Sequence, residues 1–345
     1  MHYIGMDTSI ATLEFTVIDE KGEIKNRKVI TTSEKGLIEY LKGIPKPRTL
    51  YIEEGSLAGW IVEVCYRHGE KVIVMDPKQN HWICKSEEKS DPIDSIKIAQ
   101  LARGNFYKEI PHAVGHRKRF RELVLYYHDT IRAQTRLKNI IKAKFRQYGI
   151  NCTGNTIYNE KHQEEWLIKL NDHSQQQFMI KQLFENLKII QKQIGEILIK
   201  IKTQCKTYAE IEYFRNVPGI GWINGATISA LIENPYRFAS KKKIWKYAGI
   251  GIVKKTSSKV VYSEKANKNY NRILKYTIKQ ATKAALSSTN FFSQKYTYLI
   301  LKGIPPKRAS LRISRLLLTV IWSIWKKGEN YQAEKVNLVS RNLKD

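Results

Sequence analysis

The apolar residues of this chain change their spacing along its length, and that change limits the folds open to it. Up to about residue 110, short apolar runs alternate with polar residues or are cut by turns; beyond it they recur at helical intervals. Tyr3 to Met6 is a short apolar run, and Leu13 to Ile18 alternates apolar with polar or acidic residues. Glu20-Lys21-Gly22-Glu23 reads as a turn, and Lys28 to Thr32 as a third strand, which predicts an antiparallel meander. Ser33 to Leu41 reads as a helix with Leu37, Ile38 and Leu41 on one side. Thr49 to Ile52 and Lys71 to Met75 are two further strands, with a helix over Gly59 to His68 between them.

A meander followed by a strand–helix–strand unit fits an RNase H-like sheet, a pattern that other α/β folds share. The middle of the chain, 113–205, reads as helical and strongly charged. Leu183, Leu187, Ile190, Ile194, Ile197 and Ile201 follow a heptad seam, which predicts either a coiled-coil arm or a helix packed within its own domain. The remainder, 206–345, reads as mainly helical, with amphipathic, Lys- and Arg-rich helices over 270–285 and 307–326. It opens on Val217-Pro218-Gly219-Ile220-Gly221, which is similar to the hairpin of a helix-hairpin-helix motif. In such a hairpin Gly219 and Gly221 would let backbone N–H groups approach a phosphate, with the next helix N-terminus adding its dipole. An ordinary Pro-Gly turn between helices is the other reading.

Charge narrows the partners. The 345 residues hold 60 Lys and Arg against 32 Asp and Glu, a formal net charge of +28. A surplus of that size suits a polyanion, and nucleic acid comes first. A membrane partner is not expected, because no apolar run reaches the roughly 18 residues of a spanning helix. The start, MHYIGMDTS, lacks the basic-then-apolar plan of a signal peptide, so a cytoplasmic, nucleoid-associated prokaryotic protein is expected. Cys65, Cys84, Cys152 and Cys205 lie far apart without metal-ligand spacing and read as reduced thiols.

Four acids stand where chemistry could use them. Asp7 closes the first apolar strand, and Glu53 ends the strand Leu50-Tyr51-Ile52. Acids at the core-facing ends of strands are costly unless paired. Asp91 and Asp94, in Ser90-Asp91-Pro92-Ile93-Asp94, are three apart at a helix start and share a face. Oxygen ligands so grouped suit magnesium or manganese rather than zinc. The structural alternative is equally concrete: Asp91 before Pro92 is a good N-cap, and Asp94 a first-turn acid favoured by the helix dipole. Glu54 and Asp76 also follow strands, so position alone does not exclude them.

These blocks, in this order, resemble the DEDD transposases of the insertion sequence 110 family. Ile4-Gly5-Met6-Asp7 is similar to the family's first acidic strand, Glu53-Glu54-Gly55 to its Glu-Thr-Gly-like block, and Ser90 to Ser95 to its Thr-Asp-x-x-Asp-Ala block. Val217 to Gly221, Phe238-Ala239-Ser240, Tyr247 to Ile250, Asn271 to Lys275, and the stretch from Lys302-Gly303 to Arg315-Leu316-Leu317 resemble the transposase domain. The resemblance implies a RuvC-like, RNase H-like domain over 1–112, a helical coiled-coil region over 113–205 and a helical C-terminal transposase domain over 206–345. It implies catalysis and divalent-metal binding by Asp7, Glu53, Asp91 and Asp94. It also implies a serine nucleophile in Gly249 to Lys259, where counting from Gly249 gives Ser257 and leaves Ser258, one step away, and Ser263 as rivals. This stretch lacks the family's proline and following glycine, and Tyr270 replaces the usual glycine before Asn271. Gly219, Gly221, Lys254, Lys255, Lys259, Arg272 and Arg315 are the expected nucleic-acid contacts.

The implied activity is that of an insertion-sequence transposase, a site-specific recombinase that cuts and exchanges DNA strands. The implied partners are donor and target DNA, a structured guide RNA from the mobile element, and further copies of the chain as a dimer or tetramer. Two competing readings stay open: a RuvC-like structure-selective endonuclease using the four acids and water, and a catalytically silent nucleic-acid-binding relative.

Overall fold

A computed structural model of the chain describes residues 1–77, 91–170, 173–257, 260–266 and 269–335, with backbone alone at 91–93, 253–257 and 260–266. It divides into two compact units, Met1–Arg119 and Phe120–Asp345.

In the first unit the alternation of apolar residues builds a sheet with two covered faces. β1 (His2–Thr8), β2 (Thr12–Ile18) and β3 (Ile24–Thr31) form the antiparallel meander. β4 (Arg48–Glu53) and β5 (Val72–Met75) add in parallel on the other side of β1, giving the order β3-β2-β1-β4-β5. α1 (Glu34–Lys42), which Ser33 caps by accepting from the Gly36 N–H, and α2 (Ala58–Arg67) join them. One face carries Ile4, Met6, Leu13, Phe15, Leu50 and Ile52 into a core with α1 and α2. Each such fully buried side chain contributes about 1.5–3 kcal/mol.

The other face is covered by α3 (Asp91–Arg103), whose Ile98, Leu101 and Ala102 cluster with Tyr51, Ile73 and Met75. α3 lies so close to β1 that a Cβ on Gly5 would stand 2.1 Å from the Ser95 carbonyl oxygen and 2.5 Å from the Ala99 nitrogen. The Thr16 and Ser95 hydroxyls share a buried hydrogen bond of 2.8 Å. At its other end α3 meets the β2–β3 turn, with Gln100 Nε2 donating to the Gly22 carbonyl and Arg103 Nη1 to that of Glu20. α3 therefore runs antiparallel to β1, its first turn towards Asp7.

The two edges of the sheet are closed differently. At β5 a bridge between Met75 and Glu109 and a hydrogen bond from the Ile110 N–H to the Val74 carbonyl cover the edge with chain. β3 is exposed along nearly its whole length and carries Lys25, Arg27 and Lys28. At the end of the sheet opposite Asp7, Arg48 grips Glu70 through two contacts of 2.5 and 3.1 Å, both side chains only 7% exposed.

The second unit is mostly helical. α4 (Gly115–Arg146), which begins before the unit boundary, and α6 (Ser174–Cys205) pair along apolar seams, with the short α5 (Gln163–Ile168) near their far ends. Ile180, Phe184 and Leu187 pack with Leu137, Ile141 and Phe145, while Ile197 and Ile201 pack with Phe120 and Val124, so the helices are antiparallel. The buried seam departs from the heptad count: Phe184 is buried, while Leu183 and Ile190 are only partly so.

The rest is a helical core of α7 (Ala209–Arg215), α8 (Trp222–Ile232), α9 (Lys241–Tyr247), α10 (Arg272–Leu286), α11 (Phe291–Leu301) and α12 (Pro306–Lys327). α10 and α12 fall on the two spans read as amphipathic. Between α9 and α10 the structure departs from the sequence reading, which had only a loop there. β6 (Ile252–Ser257) and β7 (Val260–Ala266) form an antiparallel hairpin. The β-branched Ile252, Val253, Thr256, Val260 and Val261 account for it. Among the described residues no helix is long and apolar enough to cross a membrane.

Candidate active site

Strand register sets the geometry of the acids. Met6 pairs with Ile52 in the parallel β1–β4 ladder, so Asp7 and Glu53 follow side by side at the ends of neighbouring strands. Strands lie about 4.8 Å apart, and side chains two residues apart share a face. Gly5 and Tyr51 face α3; Asp7 and Glu53, two residues on, share that face, and both are partly exposed. From Ser95 to Asp91 is one helical turn, about 6 Å of rise, and from Gly5 to Asp7 is about the same along the strand. The first turn of α3, with Asp91 and Asp94, thus lies over the end of β1.

Among the described residues no three His, Cys, Asp or Glu side chains are grouped to hold a metal, and the Asp91 side chain is outside that set. Asp94 Oδ1 is 3.6 Å from Lys97 Nζ, with Asp94 half exposed. Asp7, Glu53 and Asp94 offer carboxylate oxygens only, at partly exposed positions, and such donors fit a hard divalent cation.

The two neighbouring acids have other partners. Glu54 Oε2 is 2.6 Å from His112 Nε2, and Asp76 Oδ2 is 3.4 Å from Lys108 Nζ. One carboxylate was passed over in the sequence. Glu14 is the register partner of Asp7 across the antiparallel β1–β2 ladder, on the same face. Its signal was present in the alternation of β2, but only the register brings it to Asp7.

In the second unit Ser257 is the last residue of β6 and pairs with Val260. Lys254 and Lys255 lie on the same strand, opposite Glu264 and Ser263 in β7. Ser258 and Lys259 fall outside the described residues. Arg272 is the exposed first residue of α10, whose N-cap Asn271 accepts from the Leu274 N–H. Arg315, in α12, donates from Nε to the Ile250 carbonyl at 2.7 Å.

The glycines of Val217 to Gly221 divide their tasks. Gly219 has φ +85°, and a Cβ there would stand 2.3 Å from the Ala281 carbonyl oxygen; its missing side chain lets the turn pack on α10. Gly221 has nothing within 4 Å of its Cβ position and opens α8 without a side-chain cap. Beside it the Arg215 guanidinium stacks 3.6 Å from the Trp222 ring centroid. On α4, Arg121 is engaged by Glu233, while Lys138 and Lys142 lie over the Tyr158 ring at 5.0 and 5.3 Å.

Comparison with known proteins finds two family models along the chain. A DEDD transposase model of the IS110 family spans residues 4–150, from β1 through α4. A second, described as transposase IS116/IS110/IS902 family, spans residues 211–297, from α7 into α11 and across the β6–β7 hairpin. No curated protein matches significantly. The two models name the same family, occur in order and together cover more than half of the chain; the chain belongs to the IS110 family of insertion-sequence transposases.

Proposed function

We propose that this transposase breaks and rejoins DNA strands with two sets of groups: a divalent-metal site of Asp7, Glu53, Asp91 and Asp94, and the hydroxyl of Ser257. The observation that carries the reading is the shared face of Asp7 and Glu53 at neighbouring strand ends, with the first turn of α3 over them. Magnesium or manganese held there would supply positive charge beside the scissile phosphodiester.

The chain's own groups do the rest. Asp7 and Glu53, on rigid strands, and Asp91 and Asp94, on a helix seated against Gly5, fix the direction from which the phosphate is met. The Ser257 oxygen attacks phosphorus and the bridging oxygen leaves with a proton, so that one DNA end is held as a phosphoserine ester. The hydroxyl of the incoming strand then displaces serine and restores the diester. Serine is a weak nucleophile at neutral pH and needs a proton acceptor for the first step. Lys254 and Lys255, on the same strand, offset the charge that develops on the phosphate. Gly221 and Arg272, at the starts of α8 and α10, serve the DNA backbone. The surplus of +28 has room for a structured guide RNA as well, and strand exchange between two DNA sites calls for more than one copy of the chain.

The test is incubation of the protein with magnesium and DNA carrying an element end, with and without RNA transcribed from that end. The expected product is a covalent adduct mapped to Ser257 by mass spectrometry. Ser257→Ala should abolish it, and Asp7→Asn should reduce it at least about 100-fold with DNA affinity kept. Full adduct from Ser257→Ala would move the nucleophile to Ser258 or elsewhere. Nicking without adduct would make the protein a plain endonuclease, and binding alone a silent relative.

A further inference from the structure

Among the described residues the β6–β7 hairpin is a ribbon of two strands with no third strand beside it. Ribbons of this kind are marginal by themselves, so their direction is set where they are rooted. From Ile252 to Ser257 is five residue steps, about 17 Å at 3.3 Å each. Ser257 therefore stands at the far end of a lever.

The root is tied on three sides. The Ile250 and Gly251 N–H groups both donate to the Trp245 carbonyl, at 3.0 and 2.9 Å. On the return side the Asn271 N–H donates to the Tyr247 carbonyl at 2.9 Å. Gly249, at φ +66°, lets the chain pass the Tyr270 ring, which a Cβ would meet at 2.6 Å. All of these lead to the end of α9. The third tie comes from α12, nearly seventy residues on in sequence. Arg315 Nε donates to the Ile250 carbonyl at 2.7 Å, and its guanidinium lies 5.7 Å from the Trp245 ring centroid. The Arg315 carbonyl accepts from Trp245 Nε1 at 3.1 Å, and so does the Thr319 hydroxyl at 3.0 Å. One residue thus holds both the root of the hairpin and the indole that the root hangs from.

We infer that Arg315 is a positioning residue, which aims the hairpin carrying Ser257 and does not itself bind phosphate. The inference rests on Ser257 as the nucleophile for its consequence, but not for the anchoring. A tilt of about 10° at the root moves a point some 17 Å away by roughly 3 Å. A misplacement of about 1 Å can already cost 100-fold in rate. The Nε–H and carbonyl contacts fix that tilt at the only main-chain oxygen of the root that α12 reaches by a described hydrogen bond.

The experiment uses the full-length protein with Arg315→Gln and Arg315→Lys. Three quantities are read: amide hydrogen exchange over 252–257 and 260–266, the rate of serine–DNA adduct formation, and DNA affinity against salt. In Arg315→Gln, exchange in the hairpin should rise at least about tenfold and adduct formation fall about 100-fold, while DNA affinity and its salt slope stay as in the unmutated protein. Arg315→Lys, which keeps a donor for the Ile250 carbonyl, should recover most of both. Unchanged hairpin exchange overturns the inference whatever the activity does. So does a weaker affinity with the salt slope reduced by about one phosphate, which would make Arg315 a phosphate ligand. If Arg315→Gln does not fold, Arg315→Met, which keeps the apolar stem and removes the donor to the Ile250 carbonyl, is judged by the same readings against the unmutated protein. If the unmutated protein forms no adduct, the serine reading fails by itself, and hairpin exchange still decides whether Arg315 anchors the root.

Discussion

The five-stranded sheet of the first unit and the two-stranded hairpin of the second present reactive groups in opposite ways. The sheet is packed on both faces, so Asp7 and Glu53 are held by every side chain beneath them, including Ile4, Met6 and Ile52. Among the described residues the hairpin is a ladder of two strands, and the proposed nucleophile Ser257 lies some 17 Å from the contacts at its root. A sheet with a filled core resists local error but fails as a whole when its core or buried charges are broken. A rooted ribbon fails locally, through direction, while the protein around it stays folded.

The largest effect should come from the sheet's buried ion pair. Arg48→Ala leaves Glu70 charged and uncompensated in a site that is only 7% exposed, and should cost about 3–5 kcal/mol in urea unfolding. Loss of activity should follow the folded fraction and disappear at temperatures where the variant is folded. Activity lost from fully folded Arg48→Ala would contradict the view that this end of the sheet only supports.

Two glycines sharpen the contrast next. Gly5→Ala sets a Cβ against the Ser95 carbonyl, which is helix backbone and gives little, and should cost about 1–3 kcal/mol. It should also slow cleavage in the folded fraction, because α3 carries Asp91 and Asp94. Gly249→Ala places a side chain at φ +66° against Tyr270 and should cost about 1–2 kcal/mol. Hydrogen exchange tells them apart: α3 and β1 should loosen in the first, and β6 and β7 alone in the second. The reverse pattern, or a uniform one, would erase the distinction between the two modes.

The smallest effect is one of pH. Burial in the second unit pushes the pKa of His128 down, aided by Arg132 and opposed by Asp129. Its Nε2 lies 2.9 Å from the Thr227 hydroxyl oxygen, whose own proton goes to the Ile223 carbonyl. A lowered folded pKa means stability present above the ordinary histidine value of about 6.5, lost as pH falls through the folded value. In the first unit the lowered groups are surface acids: Asp19, held down by hydrogen bonding to Lys25, Glu20, by the N-terminal amine, and Glu34, by His68 and then Arg67. Their contribution is lost only in the acid range below about pH 4.5. Between pH 7 and 5 the α4–α8 contact should weaken, and His128→Gln should flatten that dependence. An equal weakening in His128→Gln would place the titrating group elsewhere.

The legibility of the chain follows the same division. β1, β2, β4 and β5 announce themselves because each carries buried apolar residues, whereas the exposed β3 shows only its second half, from Lys28; Asp7 and Glu53 interrupt those patterns where a strand ends. Pairing Glu14 with Asp7 needs the β1–β2 register, and separating Glu53 from Glu54 and Asp76 needs the faces and their partners, which spacing alone does not supply. Phe184 takes the place given to Leu183 because packing against a particular antiparallel helix, not a uniform heptad count, decides burial. The β6–β7 hairpin stayed hidden behind Lys254, Lys255 and Lys265, which break the apolar alternation by which a strand announces itself. Arg315 reads in the sequence as a nucleic-acid contact on a basic helix, because its partner is a carbonyl from sixty-five positions away.

The open edge of β3 bears on solubility. An eight-residue strand with bare N–H and carbonyl groups, and with Ile24 and Val29 about half exposed, is a ready template for pairing with another copy. Lys25, Arg27 and Lys28 make that encounter one of like charges, so the positive surplus that suits this chain to DNA also keeps its copies from stacking edge to edge. A nucleic acid bound across these cations would mask their repulsion. Preparations stripped of nucleic acid should then remain clear at low salt, where the repulsion reaches furthest, and cloud first as salt screens it.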